Sequence, residues 1–264
     1  MWKKQGFVLI DDLIDEEQCE TVKKMLSDMV IELATEDEAL GRTDETQPQR
    51  LGSSMLTNRV FWDEAAGQPT SFPLHERERV LSRVGHRLEQ IDVVRSVIFS
   101  PQIRAYAATL FDQPAIATCA IIDKVPGGSM YFDPHQDSWY ITTDPDKILG
   151  IWIALDDTDE ENGCLFVAPG TSGLGNLAVA TNDASWTIRT NSDQPLPVPD
   201  MIPLPMRRGT ALLFDGHVFH RSEINLSSRR RRAIVCHIVE GDCHLLGDSW
   251  LVRPEGGFLT VPKE

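Results

Sequence analysis

Long apolar runs are missing from this chain. The first, Phe7-Val8-Leu9-Ile10, gives way at once to an acidic stretch opening at Asp11. It is too short for a signal-peptide core, and no later run approaches the length of a membrane span. Clustered cysteine is also absent. The five cysteines (Cys19, Cys119, Cys164, Cys236, Cys243) are odd in number, scattered, and include no Cys-x-x-Cys pair. That excludes a zinc ribbon and argues against a disulfide frame, so buried thiols in a reducing compartment are expected. Val261-Pro262-Lys263-Glu264 carries no peroxisomal or retention address, which makes the cytoplasm the expected location. Basic charge is scarce, with 25 Lys and Arg against 40 Asp and Glu and a net charge of -15. Nucleic-acid and anionic-membrane surfaces need a basic footprint, so neither partner is expected. The single basic cluster, Arg229 to Arg232, reads as a solvated strand edge or loop for at least two of its four members. Internal repeats, low-complexity tracts and linkers are lacking too.

What remains is an ordinary globular composition, 41% hydrophobic and 25% charged over 264 residues, long enough for one large domain. A short strand is expected at Gly6 to Ile10. Asp15 can then cap a helix whose apolar positions Cys19, Val22, Leu26, Met29, Val30 and Leu33 keep helical spacing. Periodicity is lost from Thr35 to Gly52, and residues 63 to 75 look loop-like. Helical patterns return around Glu78 to Ile91 and at Pro101 to Phe111. After Pro114 come short apolar runs: Ile116 to Ile122, Ile148 to Leu155, Cys164 to Val167, Thr210 to Phe214 and Ala233 to Val239. Turn-rich segments separate them, the rhythm of an antiparallel sandwich or jelly roll. The expected class is α+β, a double-stranded β-helix flanked by N-terminal helices, in one domain spanning 1–264. Its helical part would cover about 1–114 and its jelly-roll core about 115–242.

The chemistry concentrates in His135-Gln136-Asp137 and a distant histidine. Residues 135 and 137 on a strand share a face; with one more imidazole they form a facial set suited to Fe(II), leaving positions open. His217, His220, His237 and His244 compete for the third place. His237 lies inside an apolar strand and reads as a core histidine satisfied by hydrogen bonds. His220 gains from its downstream neighbours: Ser222, Asn225 and Arg231, which opens the next strand. If Arg231 faces inward, Ala233, Val235 and His237 share its face, while Arg230 and Arg232 point outward. A buried guanidinium needs an acidic partner, and its planar fork suits a carboxylate.

In these motifs the chain resembles the phytanoyl-CoA dioxygenase family of Fe(II)- and 2-oxoglutarate-dependent oxygenases, in particular its branch of phytanoyl-CoA dioxygenase domain-containing proteins. The matching stretches are Gly6-Phe7-Val8, Arg83-Val84-Gly85-His86, Pro134-His135-Gln136-Asp137 and Leu149-Gly150-Ile151-Trp152-Ile153-Ala154. They continue through Glu161-Asn162-Gly163-Cys164-Leu165, Pro169-Gly170-Thr171, and His220-x-Ser222 through Asn225 to Arg231. The resemblance implies that His135, Asp137 and His220 hold the metal and are the catalytic residues. It implies that Arg231 binds the remote carboxylate of 2-oxoglutarate beside Trp152, with Arg83 where relatives use a lysine. The family's Pro-Gly-Ser-His ends here as Pro169-Gly170-Thr171-Ser172, without the histidine.

The implied reaction consumes O2 and 2-oxoglutarate and yields succinate and CO2. Related halogenating enzymes carry a small residue where Asp137 stands, so hydroxylation, desaturation or ring formation is the expected outcome. The expected substrate is a small, relatively apolar organic molecule, such as a secondary metabolite, bound near Phe132, Trp139, Tyr140 and residues 40 to 75. His86 and Glu78 read as exposed or capping groups, and assembly stays open, a homodimer included. Two other readings remain: a catalytically silent jelly-roll ligand-binding protein, and a metal-dependent oxygenase or isomerase that does not use 2-oxoglutarate.

Overall fold

The computed structural model describes residues 2–40, 56–182, 185–189, 195–196, 199–247 and 249–263. Parts of the expected substrate-lining stretch 40 to 75 lie outside these residues. Among the described residues no helix is long and apolar enough to cross a membrane.

Asp15 caps helix α1 (Glu16–Ala39) through a capping box: its carboxylate accepts from the Gln18 N–H, and the Gln18 side chain accepts from the Asp15 N–H. Glu16 and Glu17 in the first turn complement the helix dipole. The helix runs beyond Thr35, where periodicity fades, because good helix formers continue it and Glu38 pairs with Arg77. Its inner face (Cys19, Val22, Leu26, Val30, Ala34) is buried against the sheet. Burial of each valine or leucine there is worth about 1.5–3 kcal/mol. Helices α2 (Asp92–Ile98) and α3 (Pro101–Leu110) join the same layer, the latter opened by Pro101 as expected.

The principal strands, in chain order, are β1 (Phe7–Ile10), β2 (Arg59–Trp62), β3 (Leu81–His86), β4 (Pro114–Lys124), β5 (Phe132–His135), β6 (Leu149–Ala154), β7 (Leu165–Val167), β8 (Ile202–Leu204), β9 (Ala211–Asp215), β10 (His220–Ser222), β11 (Arg231–Glu240) and β12 (Leu259–Thr260). The larger sheet has the order β1-β9-β6-β11-β4-β3-β2, with β12 beside β4; the smaller has the order β8-β7-β10-β5. All of these pairings are antiparallel. Two facing antiparallel sheets with helices packed outside make the expected α+β jelly roll.

Alternation divides the large sheet into two faces. Ile151 and Ile153 of β6 and Ile234, Cys236 and Ile238 of β11 pack under the helices. Trp152, Ala154 and Ala233 turn inward, against Leu165, Val167, Phe214 and Val218. Gly150 is obligatory on that inner face, since a Cβ there would sit 2.3 Å from the Phe214 ring.

Two expectations are corrected here. The stretch Glu78 to Ile91 is not helical: a 3-10 turn, Leu74–Val80, feeds strand β3. Gly85 lets β3 lie close on β4, where an added Cβ would meet that of Ala120 at 2.5 Å. So short an apolar run fits either period, and pairing decides it. The cysteines are not all free. Cys119 and Cys236, opposite one another on β4 and β11 with Cα atoms 4.2 Å apart, are joined as a disulfide. Cys19, Cys164 and Cys243 are free and buried.

Candidate metal and cosubstrate site

Strands β5 and β10 pair so that His135 and His220 are direct partners across the small sheet, and their ring centroids lie 4.2 Å apart. Asp137 is not on the same strand as His135, as the spacing suggested. The strand ends at His135 and a 3-10 turn, Asp137–Trp139, carries the carboxylate. The two still converge: Asp137 Oδ1 lies 3.7 Å from His135 Nε2 and 3.8 Å from His220 Nε2. Potential ligand atoms of the three residues all fall within 4.8 Å of one another.

The residue between the ligands fixes the turn. Gln136 is fully buried; its amide donates to the carbonyls of His217 (2.6 Å) and Gly175 (3.0 Å). Its carbonyl accepts from Leu177 N–H (2.7 Å) and Trp139 Nε1 (2.9 Å). Every polar position of that side chain is therefore used.

Backbone carbonyls set both imidazoles. His135 Nδ1 donates to the Asp133 carbonyl at 2.6 Å and His220 Nδ1 to that of Val218 at 2.9 Å, leaving each Nε2 lone pair free for a metal. Burial, then the charge of His220, pushes His135 down to about 4, so it is neutral. Burial pulls the Asp137 carboxyl upward, but His237, His220 and His135 outweigh it and hold Asp137 below the usual carboxylate range. Two imidazoles with their Nε2 atoms free and one ionised carboxylate fit a divalent ion, and three ligands leave part of its sphere open.

Of the competing histidines, His217 is engaged by Asp215 at 2.9 Å and Asp146 at 3.0 Å, and His244 lies on a short separate strand. His237 is more than a core histidine. Its Nε2 donates to Asp137 Oδ2 at 2.9 Å, while its enclosed Nδ1 has no partner.

A cavity of about 370 Å³ opens beside these groups, lined among others by Arg83, Phe132, Tyr140, Trp152, Ser222 and Arg231. Arg231 faces inward, lining the cavity together with Val235 and His237, and is only 1% exposed. Its Nε and one terminal nitrogen find no partner, and its guanidinium carbon lies 5.4 Å from the Trp152 ring centroid. Opposite it in register stands Lys124, not an acid. Lys124 donates to Ser222 Oγ at 2.9 Å and to the Glu223 carbonyl; burial and then Arg231 push its ammonium down to about 5. Among the described residues no carboxylate forms an ion pair with Arg231. Arg83 lines the same cavity, its Nε enclosed and without a partner, against Phe132. Arg230 and Arg232 point away, as expected, to pair with Asp123 and Asp156, and Arg229 pairs with Asp159.

Three expectations fail in detail. Trp139 packs on Phe219, 5.8 Å between centroids, and does not line the cavity. Glu78 is half-buried and pairs with Arg230 at 3.0 Å. His86 is buried, 4% exposed, and lines the cavity.

Known proteins resemble this chain in sequence and in fold. The sequence model of the phytanoyl-CoA dioxygenase (PhyH) family matches residues 2–233. A phytanoyl-CoA dioxygenase domain-containing protein 1 from Bos taurus is 29% identical over 271 residues, covering 95% of this chain and 92% of the relative. A phytanoyl-CoA dioxygenase from Arabidopsis thaliana is 27% identical, covering 94% and 90%. Among solved structures, the non-heme alpha-ketoglutarate-dependent carbocyclase SnoK from nogalamycin biosynthesis superposes with a TM-score of 0.61 at 16% identity, covering 98% of this chain and 93% of its own. The epimerase SnoN, solved with Fe3+ and alpha-ketoglutarate, gives 0.59 at 16%, covering 92% and 82%. At such identities these structures speak for the fold. The family match takes in all three metal-facing residues and Arg231, and the chain belongs to the phytanoyl-CoA dioxygenase family.

Proposed function

We propose that this non-haem iron and 2-oxoglutarate enzyme hydroxylates a C–H bond of a small organic substrate. His135, Asp137 and His220 hold the ion, Arg231 binds the remote carboxylate of 2-oxoglutarate, and Trp152 and Arg83 flank that cosubstrate. The observation that carries the reading is one cavity shared by a metal-ready triad and a buried guanidinium with no carboxylate among the described residues. When bound, iron and 2-oxoglutarate supply the oxidising power: one O2 gives one oxygen atom to succinate and one to the product alcohol, with CO2 released.

The chain's own residues do the rest. The Asp133 and Val218 carbonyls hold the imidazoles in the binding tautomer. His237 fixes one oxygen of Asp137, so the other faces the histidines. Arg231 and Trp152 orient the cosubstrate, Ser222, held by Lys124, closes its far end, and Phe132, Tyr140 and Ile141 give the substrate an apolar wall. A cavity of about 370 Å³ and a net charge of -15 favour a small organic molecule over a coenzyme A ester with its phosphates. The similar folds of an epimerase and a carbocyclase support a general oxidising scaffold, whose outcome depends on which C–H bond the wall presents.

The reading is tested by following succinate formation from 2-oxoglutarate with Fe(II) and O2. Wild type should turn 2-oxoglutarate over slowly even without prime substrate, and D137A should not. Equal turnover by D137A would contradict the assignment.

A further inference from the structure

The proposed chemistry uses Arg231, Trp152 and the triad but leaves one enclosed polar side chain of the cavity unexplained. His86 ends β3, and its backbone is held on both sides: its N–H donates to the Thr57 carbonyl at 3.0 Å, and its carbonyl accepts from the Thr118 hydroxyl at 3.3 Å. The residue lines the cavity, its ring centroid 5.8 Å from that of Phe61. Its Nε2 is sealed from solvent and has no hydrogen-bond partner. Burial, then the charges of Arg83 and His237, push it down to about 3, so the ring is neutral. A neutral imidazole offers one N–H and one lone pair, and burying it unpartnered is unfavourable unless a ligand completes it.

Elsewhere on the cavity wall the chemistry reverses. Tyr140 and Trp250 face each other with centroids 4.2 Å apart, and the Trp250 N–H donates to the Tyr140 carbonyl at 2.7 Å. Trp250 is 41% exposed and Leu251 buried, and both line the cavity. They come from a segment beyond the residues matched by the family's sequence model.

We propose that His86 is a specificity-determining residue that exchanges a hydrogen bond with an uncharged hydroxyl of the prime substrate, while the Tyr140–Trp250 pair receives that substrate's flat apolar ring. A hydroxyl both donates and accepts, so it satisfies His86 in either tautomer. The substrate class is then a hydroxylated ring compound. This rests on the proposed function, which assigns the Arg231 end of the cavity to 2-oxoglutarate.

The test uses the full chain loaded anaerobically with Fe(II) and 2-oxoglutarate, with 2-naphthol and naphthalene as probes and dissociation constants read from tryptophan fluorescence. Wild type should hold 2-naphthol about five- to tenfold tighter than naphthalene, the worth of one hydrogen bond. H86F and H86L should each reduce that ratio to near one while keeping naphthalene affinity. H86Q, which retains a donor and an acceptor, should restore part of the ratio, and W250A should weaken both probes together. A wild type with no preference, a preference that survives H86F and H86L, or a joint loss of both probes in those variants overturns the proposal. The absorption band of the iron–2-oxoglutarate complex is recorded in the same samples. Its absence in wild type would count against the functional reading alone, because the probe ratio can still be read without the metal.

Discussion

His237 Nε2 donates to Asp137 Oδ2 at 2.9 Å, across 100 residues of chain. The bond leaves Asp137 Oδ1 turned to His135 and His220, so His237 orients the carboxylate without touching the ion's place. Removing such an outer partner costs about 10- to 100-fold in metal affinity. H237F should weaken Mn(II) binding in calorimetry by that factor while the melting temperature stays near wild type. Unchanged affinity would make His237 merely a wall of the cavity.

Gln136 makes four hydrogen bonds in a site with no access to water. Q136L would strand two carbonyls and two N–H groups, each at about 1–3 kcal/mol. The variant should lose several kcal/mol in urea denaturation. A loss under about 1 kcal/mol would show that the turn holds without it.

Arg231 should matter to one ligand only. R231A should raise the 2-oxoglutarate concentration needed for half-maximal band formation by at least about tenfold, the loss of a charge-assisted pair, and leave Mn(II) affinity within about twofold. R231K should recover little, since an ammonium lacks the planar fork. Full recovery by lysine would favour a point-charge contact.

His217 gives a pH dependence with a definite sign. Burial lowers it, but the hydrogen bonds that its ring donates to Asp146 and Asp215 outweigh that and raise it from 6.5 to about 9. A raised group contributes stability that is complete below pH 6.5 and lost as pH climbs through about 9. Solvent screening leaves about 1–2 kcal/mol of this. H217Q should flatten the fall in melting temperature between pH 6.5 and pH 9; an identical slope would remove His217 as its cause.

The jelly roll was legible because its strands are apolar runs bounded by turn residues; alternation tied Arg231 to one face with Ala233, Val235 and His237, and the family resemblance gave that face a ligand. The convergence of His135, Asp137 and His220 came from the family resemblance as much as from spacing. What stayed hidden depends on pairing. Strand β3 looks helical over so short a span, so although the resemblance named Arg83, His86 read as exposed or capping instead of as a cavity residue. Cys119 and Cys236 meet because two strands lie in one register, which a separation of 117 residues conceals. Gln136 and His237 act through partners far along the chain. For His237, the inward parity shared with Arg231 was the signal available.

The central claim is that one ion and one 2-oxoglutarate occupy a single cavity held by His135, Asp137, His220 and Arg231. Anaerobic titration of Fe(II) into the purified protein with 2-oxoglutarate, followed by the metal-to-ligand absorption band, tests it most directly. A band saturating at one Fe(II) per chain, lost in H135A and shifted to higher 2-oxoglutarate in R231A, is the predicted result. A wild type that takes up Fe(II) without the band, or an H135A variant that keeps it, would contradict the account.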